Sequence, residues 1–148
     1  MIIVILITFI LVVLSVFIHY ELLRAVSNIL PSMTVKLRAR LLVIIAVVFI
    51  AHIAEISLFA LAFGLMQHQW SLGGISGNLE GGWLDYFYFS AANYTTLGMG
   101  DIYPKGHLRF VASIESLTGL VLIGWSASYT YLAMSKFWGM TKSKNSKK

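Results

Sequence analysis

The sequence predicts an all-α membrane protein with three transmembrane helices and a shorter re-entrant helix between the second and third. Three observations carry that class. Of the 148 residues, 58% are hydrophobic and only 11% charged, where a soluble domain carries about a quarter charged residues. Apolar runs at residues 2–18, 41–66 and 110–135 each approach the roughly 20 residues a helix needs to cross about 30 Å of hydrocarbon. A further apolar and aromatic stretch, residues 83–96, is too short to span. Backbone amides in lipid must be satisfied within their own segment, which favours helices. Barrel strands would alternate apolar and polar residues over about 10 positions, and these runs do not alternate.

The elements follow in order. Residues 1–26 form a first helix, expected to be retained rather than cleaved. It has no positive n-region, and His19, Tyr20 and Glu21 stand where a small-residue cleavage site would be needed. Residues 27–40 are a short basic link broken by Pro31, and residues 41–66 form the second helix. The stretch SLGGISGNLEGG within the outer loop 67–82 holds five glycines and reads as flexible. Residues 83–95 then form the short aromatic helix, 96–101 a Gly-x-Gly loop, and 110–135 the last helix, with a basic tail at 136–148. Cysteine is absent, so disulfides are excluded.

Charge sets the topology. Arg24, Lys36, Arg38 and Arg40 lie between the first two spans, and Lys136, Lys142, Lys144, Lys147 and Lys148 follow the third. Only Lys105 and Arg109 fall between the second and third. The positive-inside rule therefore expects the N-terminus outside and the C-terminus in the cytoplasm of a multi-pass plasma-membrane protein. The lipid bilayer is the expected partner, with anionic lipid at the tail and no nucleic acid.

A short apolar helix followed by Gly98, Gly100, Asp101 and Pro104 suggests a half-helix dipping in from outside and a loop climbing back. Irregular backbone at membrane depth is tolerated only where it is buried in protein or lines a water-filled cavity, so the arrangement implies a pore. Lining such a pore with carbonyls requires alternating backbone signs, which glycines at alternate positions supply without steric cost.

The segment Thr95-Thr96-Leu97-Gly98-Met99-Gly100-Asp101 resembles the filter of pore-loop potassium channels, usually threonine-valine-glycine-tyrosine-glycine followed by aspartate. The resemblance, to the prokaryotic two-helix pore domain, covers about residues 42–135. It includes Tyr88-Phe89-Ser90 in the pore helix and Glu115 and Gly119 in the last helix. It implies ion sites from the Thr96 hydroxyl and the carbonyls of Thr96, Leu97, Gly98 and Met99, with Gly100 shaping the mouth. K⁺ would be the permeant ion and the only metal, and no cofactor is implied. Thr95, Tyr94, Asp101 and Glu115 would support the filter, Gly119 and Gly124 offer hinges, and four copies would close a homotetrameric pore. Small residues at Gly119, Gly124, Ser126, Ala127 and Ser128 suit close packing around the axis.

Leu97 and Met99 depart from the pattern. The usual tyrosine hydrogen-bonds outward into the aromatic cuff, whereas methionine is flexible and brings no donor. Ala92 stands where some relatives place a carboxylate facing the filter aspartate, so Asp101 must find another partner or stay solvated. The readings left open are a K⁺-selective channel, a poorly selective monovalent cation channel, and a non-conducting regulatory subunit of the same fold.

Intramembrane ionisable groups default to functional hypotheses. Glu55 sits mid-way along the second span with His52 three residues before it on the same face. The expectation is a hydrogen-bonded His52–Glu55 pair linking helices and titrating near neutrality. A metal site with His19 is disfavoured, since His19 should lie deeper towards the cytoplasm and a third ligand is not assured. A membrane metallohydrolase would need a fuller ligand set, so no enzyme is expected. The resemblance implies that Glu115 sits behind the pore helix, accepting from filter-region backbone or Tyr94. The Asn93-Tyr94-Thr95 sequon is a chance match within a helix. The first helix is expected to be peripheral, packed outside the second.

Overall fold

The computed structural model describes residues 1–34 and 36–137. Lys142, Lys144, Lys147 and Lys148, the body of the basic tail, lie outside the described residues. Among those described, three helices are long and apolar enough to cross a membrane: α1 (Ile2–Ile29), α2 (Leu37–His68) and α4 (Leu108–Phe137). The short helix α3 (Trp83–Tyr94) falls between α2 and α4 and packs against both. The fold is otherwise helical apart from a two-stranded antiparallel ribbon, β1 (Gly73–Gly77) with β2 (Ile102–Gly106).

Helices α2 and α4 extend past their apolar runs by about a turn or less at each end, whereas α1 continues well beyond its run, from residue 18 to Ile29, because polar residues continue the hydrogen-bond ladder that hydropathy does not see. The α1 helix buries Val4, Thr8, Leu11, Ser15, His19, Leu23 and Val26. That spacing of three or four is one helical stripe, and it seats α1 on the other spans. The stripe reaches both neighbours: α1 packs on α2 and also on α4, where the Ser27 and Tyr129 hydroxyls stand 2.6 Å apart. The expected packing outside α2 alone is thus corrected, since α1 fills the groove between two helices.

The glycine-rich outer loop is ordered as β1. Its glycines serve close backbone approach rather than flexibility. A Cβ on Gly73 would run into the Lys105 carbonyl oxygen, and one on Gly77 into that of Asp101. Gln67 at the end of α2 accepts from the Ile75 amide at 2.8 Å, fixing the ribbon to the helix that precedes it. The core joins Phe59, Phe63 and Met66 of α2 to Phe89 of α3 and Leu108 and Val111 of α4. Phe63 and Phe89 meet edge-on at 5.0 Å, which holds α3 inside the bundle.

Candidate functional site

The loop that follows α3 is built on that helix's C-terminus. Thr95 is the C-cap, and Thr96 takes the left-handed conformation at φ +59°. The Leu97 amide donates to the Ala92 carbonyl and the Thr96 amide to the Asn93 carbonyl, both at 2.9 Å. This pair of bonds is the Schellman motif, whose left-handed position is normally glycine. A β-branched threonine there is a strained outlier of the kind that clusters at functional sites.

The left-handed sign recurs at every second residue: Thr96 at +59°, Gly98 at +57° and Gly100 at +83°. Leu97 and Met99 between them are not of positive φ. No atom lies within 4 Å of a Cβ built on Gly98 or Gly100, so glycine is required there by backbone sign and not by space. Alternating signs turn successive carbonyls towards one side of the chain. The negative end of the α3 dipole faces the start of the same loop and favours a cation there.

Leu97 is 64% and Met99 60% exposed, so the protomer itself leaves the outward side of the loop uncovered. Tyr88 of α3 supplies the donor that methionine lacks. Its hydroxyl lies 2.8 Å from Met99 Sδ and 3.0 and 3.2 Å from the two Asp101 oxygens. Asp101 therefore finds its partner in Tyr88, one turn before Ala92. Partial desolvation, then the hydrogen bond and charge of Asp101, push the Tyr88 phenol above its ordinary value. Beyond Asp101 the chain enters β2, and the Asp101 carbonyl accepts from the Asn78 amide at 3.0 Å.

Glu115 of α4 is fully buried behind α3, as expected, but its partner is Ser90 rather than Tyr94 or filter backbone. Ser90 Oγ lies 2.5 Å from Glu115 Oε1 and 2.8 Å from the Ile56 carbonyl. The single Ser90 hydroxyl proton thus faces two acceptors, the Glu115 carboxyl and the Ile56 carbonyl. Tyr94 turns the other way, and its backbone lies against Gly119 of α4. A Cβ on Gly119 would collide with the Tyr94 carbonyl oxygen, whereas one on Gly124 meets nothing within 4 Å.

The Tyr94 hydroxyl enters a buried polar cluster drawn from four elements. It donates to Glu55 Oε2 and stands 2.9 Å from His52 Nδ1. His52 Nδ1 lies 3.2 Å from Glu55 Oε2, giving the expected pair. The sequence sets His19 of α1 deeper than Glu55, and the structure corrects this: its Nδ1 lies 2.9 Å from Glu55 Oε1. The long α1 stripe carries His19 to the level of Glu55, because the two helices run in opposite directions and start from different depths. Ser126 of α4 closes the cluster, with Oγ 3.1 Å from His19 Nε2 and 3.2 Å from His52 Nε2. His19 and Glu55 are both 0% exposed. Nothing in local sequence marks Ser126, Tyr88 or Ser90 as partners; only helical phase relative to His52, Met99 and Glu115 would have suggested them.

Comparison with curated proteins and with solved structures finds no match to the chain. The sequence model of a family described as ion channel matches residues 40–136, leaving α1 outside the match. The match spans α2, the ribbon, α3, the sign-alternating loop and α4, about two thirds of the chain, and on that ground the protein belongs to the ion channel family.

Proposed function

We propose that the protein is a passive, K⁺-selective channel that conducts through a homotetrameric filter made by residues 96–100, and not an enzyme. The observation that carries the reading is the alternation of positive φ at Thr96, Gly98 and Gly100. It suits a ring of carbonyls replacing an ion's hydration shell, a device that takes four loops. The exposed Leu97 and Met99 support assembly, since irregular backbone facing lipid is not tolerated and neighbouring copies would cover it.

Thr96, Leu97, Gly98, Met99 and Gly100 are the proposed ion-binding residues, with Thr95, Tyr94, Asp101 and Glu115 as support. K⁺ is the proposed permeant ion, with no cofactor. Gly119 contributes chiefly as the contact that seats the end of α3, and Gly124, with open space around it, is the better hinge. The N-terminus lies outside and the C-terminus in the cytoplasm of the plasma membrane.

Purified protein in liposomes tests the reading. The expected result is a current whose reversal potential follows the K⁺ gradient when Na⁺ opposes it. A reversal near zero under that bi-ionic condition would assign the poorly selective cation pore that Met99 favours by softening the filter. Absence of any current from a verified tetramer would assign the non-conducting subunit.

A further inference from the structure

We infer that His19, His52 and Glu55 form a divalent transition-metal site of the zinc class, locking α1 and α2 to the end of the pore helix. One ligand atom from each residue lies within 4.8 Å of the other two. The inference does not rest on the conducting reading, and α1, which brings His19, lies outside the family match.

The donor set selects the ion class. Two imidazoles and a carboxylate suit zinc and its first-row neighbours, whereas calcium and magnesium demand oxygen. Both Nδ1 atoms face the same carboxylate, at 2.9 and 3.2 Å, close to the separation of neighbouring ligands around one small ion. Both Nε2 atoms face Ser126 Oγ, at 3.1 and 3.2 Å. A hydroxyl oxygen has two lone pairs and can accept both Nε2–H groups, the arrangement that would leave each Nδ1 free for a metal ion. This is the outer-shell contact that metal-bound histidines ordinarily make. The Tyr94 hydroxyl, 2.9 Å from His52 Nδ1 and bonded to Glu55, faces the remaining coordination position.

Charge points the same way. Glu55 sits near the middle of the span Arg38–His68, where a lone carboxylate is costly. Among the described residues its only ion-pair partners are the two histidines. A dication supplies the missing positive charge. Binding displaces any proton held on Nδ1 of either imidazole, and that proton moves to Nε2 or leaves to solvent. A cavity of about 670 Å³ lies beside the cluster and is lined by Phe49, His52, Tyr94 and Ser126. Because His19 and Glu55 are 0% exposed, we assign the site a structural role.

The test needs no ion flux. Protein purified in detergent, stripped with chelator and dialysed against Zn²⁺, is expected to retain one zinc per chain by elemental analysis. His19→Ala and Glu55→Ala should retain none, and the control His107→Ala the full amount. Ser126→Ala should bind about 10- to 100-fold more weakly, a graded loss that misfolding does not mimic. Should His19→Ala fail to fold, Co²⁺ loaded into the wild type still reports, through the visible absorption of a four-coordinate nitrogen and oxygen site. A wild type that retains no zinc and gives only the spectrum of hydrated Co²⁺ overturns the site and leaves a proton-sharing cluster. Zinc retained equally by wild type and by folded His19→Ala overturns it as well.

Discussion

The loop at Thr96–Gly100 and the cluster around Glu55 are neighbours joined by one residue, and they are built on opposite principles. The loop is made of backbone: its order lies in alternating φ signs, and its side chains stand exposed in the protomer. The cluster is made of side chains, with every ring nitrogen and carboxylate oxygen facing a partner and almost no exposed surface. Tyr94 belongs to both. Its carbonyl abuts Gly119 at the base of the loop, and its hydroxyl ends in the cluster. The difference teaches that the loop draws its shape from the helix that ends at Tyr94, so whatever holds Tyr94 holds the loop.

The strongest way to break that arrangement is to push the joint apart. Gly119→Ala places a methyl against a backbone carbonyl that cannot rotate away, so α3 and α4 must separate. The expected cost is about 3 kcal/mol, the upper end for overpacking, read as a fall in the thermal midpoint of the detergent-purified protein. Gly124→Ala faces open space and should raise stability by about 0.5–1 kcal/mol, the advantage of alanine over glycine inside a helix. Equal effects at the two glycines would remove the joint from the explanation. Next in size is Tyr94→Phe, which keeps the ring but takes a donor from the buried Glu55 carboxylate. A loss of about 1.5–3 kcal/mol is expected, together with weaker K⁺ selectivity from a loop left untouched in sequence. Selectivity unchanged in a destabilised Tyr94→Phe would show that cluster and loop are independent.

The same contrast explains what could be read in advance. Gly98 and Gly100 announce backbone signs directly, because few other residues tolerate them, and the helix that precedes them is legible from its length and aromatic content. The spans were legible for the same reason: hydropathy is a local property. The cluster was half legible. His52 and Glu55 share one helix face, which spacing gives, but His19 and Ser126 arrive from helices whose register and depth no local pattern encodes. Hydropathy alone therefore makes α1 look peripheral and sets His19 deeper than it lies. The glycines of β1 misled differently. They read as flexible, yet they permit two strands to approach, a distinction visible only once Asp101 and Lys105 are in place opposite them. Thr96 in a left-handed position was invisible for a related reason: threonine avoids that conformation, and only the Schellman bonds from Leu97 and Thr96 reveal it.

Thr96 offers a sharper cut at the loop alone. Thr96→Gly removes a conformational penalty of roughly 1–2 kcal/mol, so the protein should become slightly more stable while losing the hydroxyl proposed as an ion ligand. Stability and K⁺ selectivity then move in opposite directions. Thr96→Val keeps the strained backbone and removes only the hydroxyl, so it should lose selectivity without the gain. If Thr96→Gly loses stability instead, threonine's side chain is anchoring the loop through contacts beyond the protomer.

The smallest effect concerns the outer end, where Tyr88 holds Met99 and Asp101. Tyr88→Phe removes one hydrogen bond to a carboxylate at a half-exposed position, and a modest loss of selectivity is expected with little change in the thermal midpoint. Its pH dependence is the informative part. The Tyr88 phenol is raised above its ordinary value of 10.0, so the folded protein favours the protonated, donating form. The contribution is fully present below that ordinary value and is lost only as pH rises through the raised one. Wild type and Tyr88→Phe should therefore differ by a constant amount from neutral pH to about 10, and converge only above it. A difference in reversal potential that disappears between pH 7 and 9 would mean that the donor at Met99 and Asp101 is some group other than Tyr88. The loop's outer end would then hang on a contact made by a neighbouring chain, and not on the helix that carries its base.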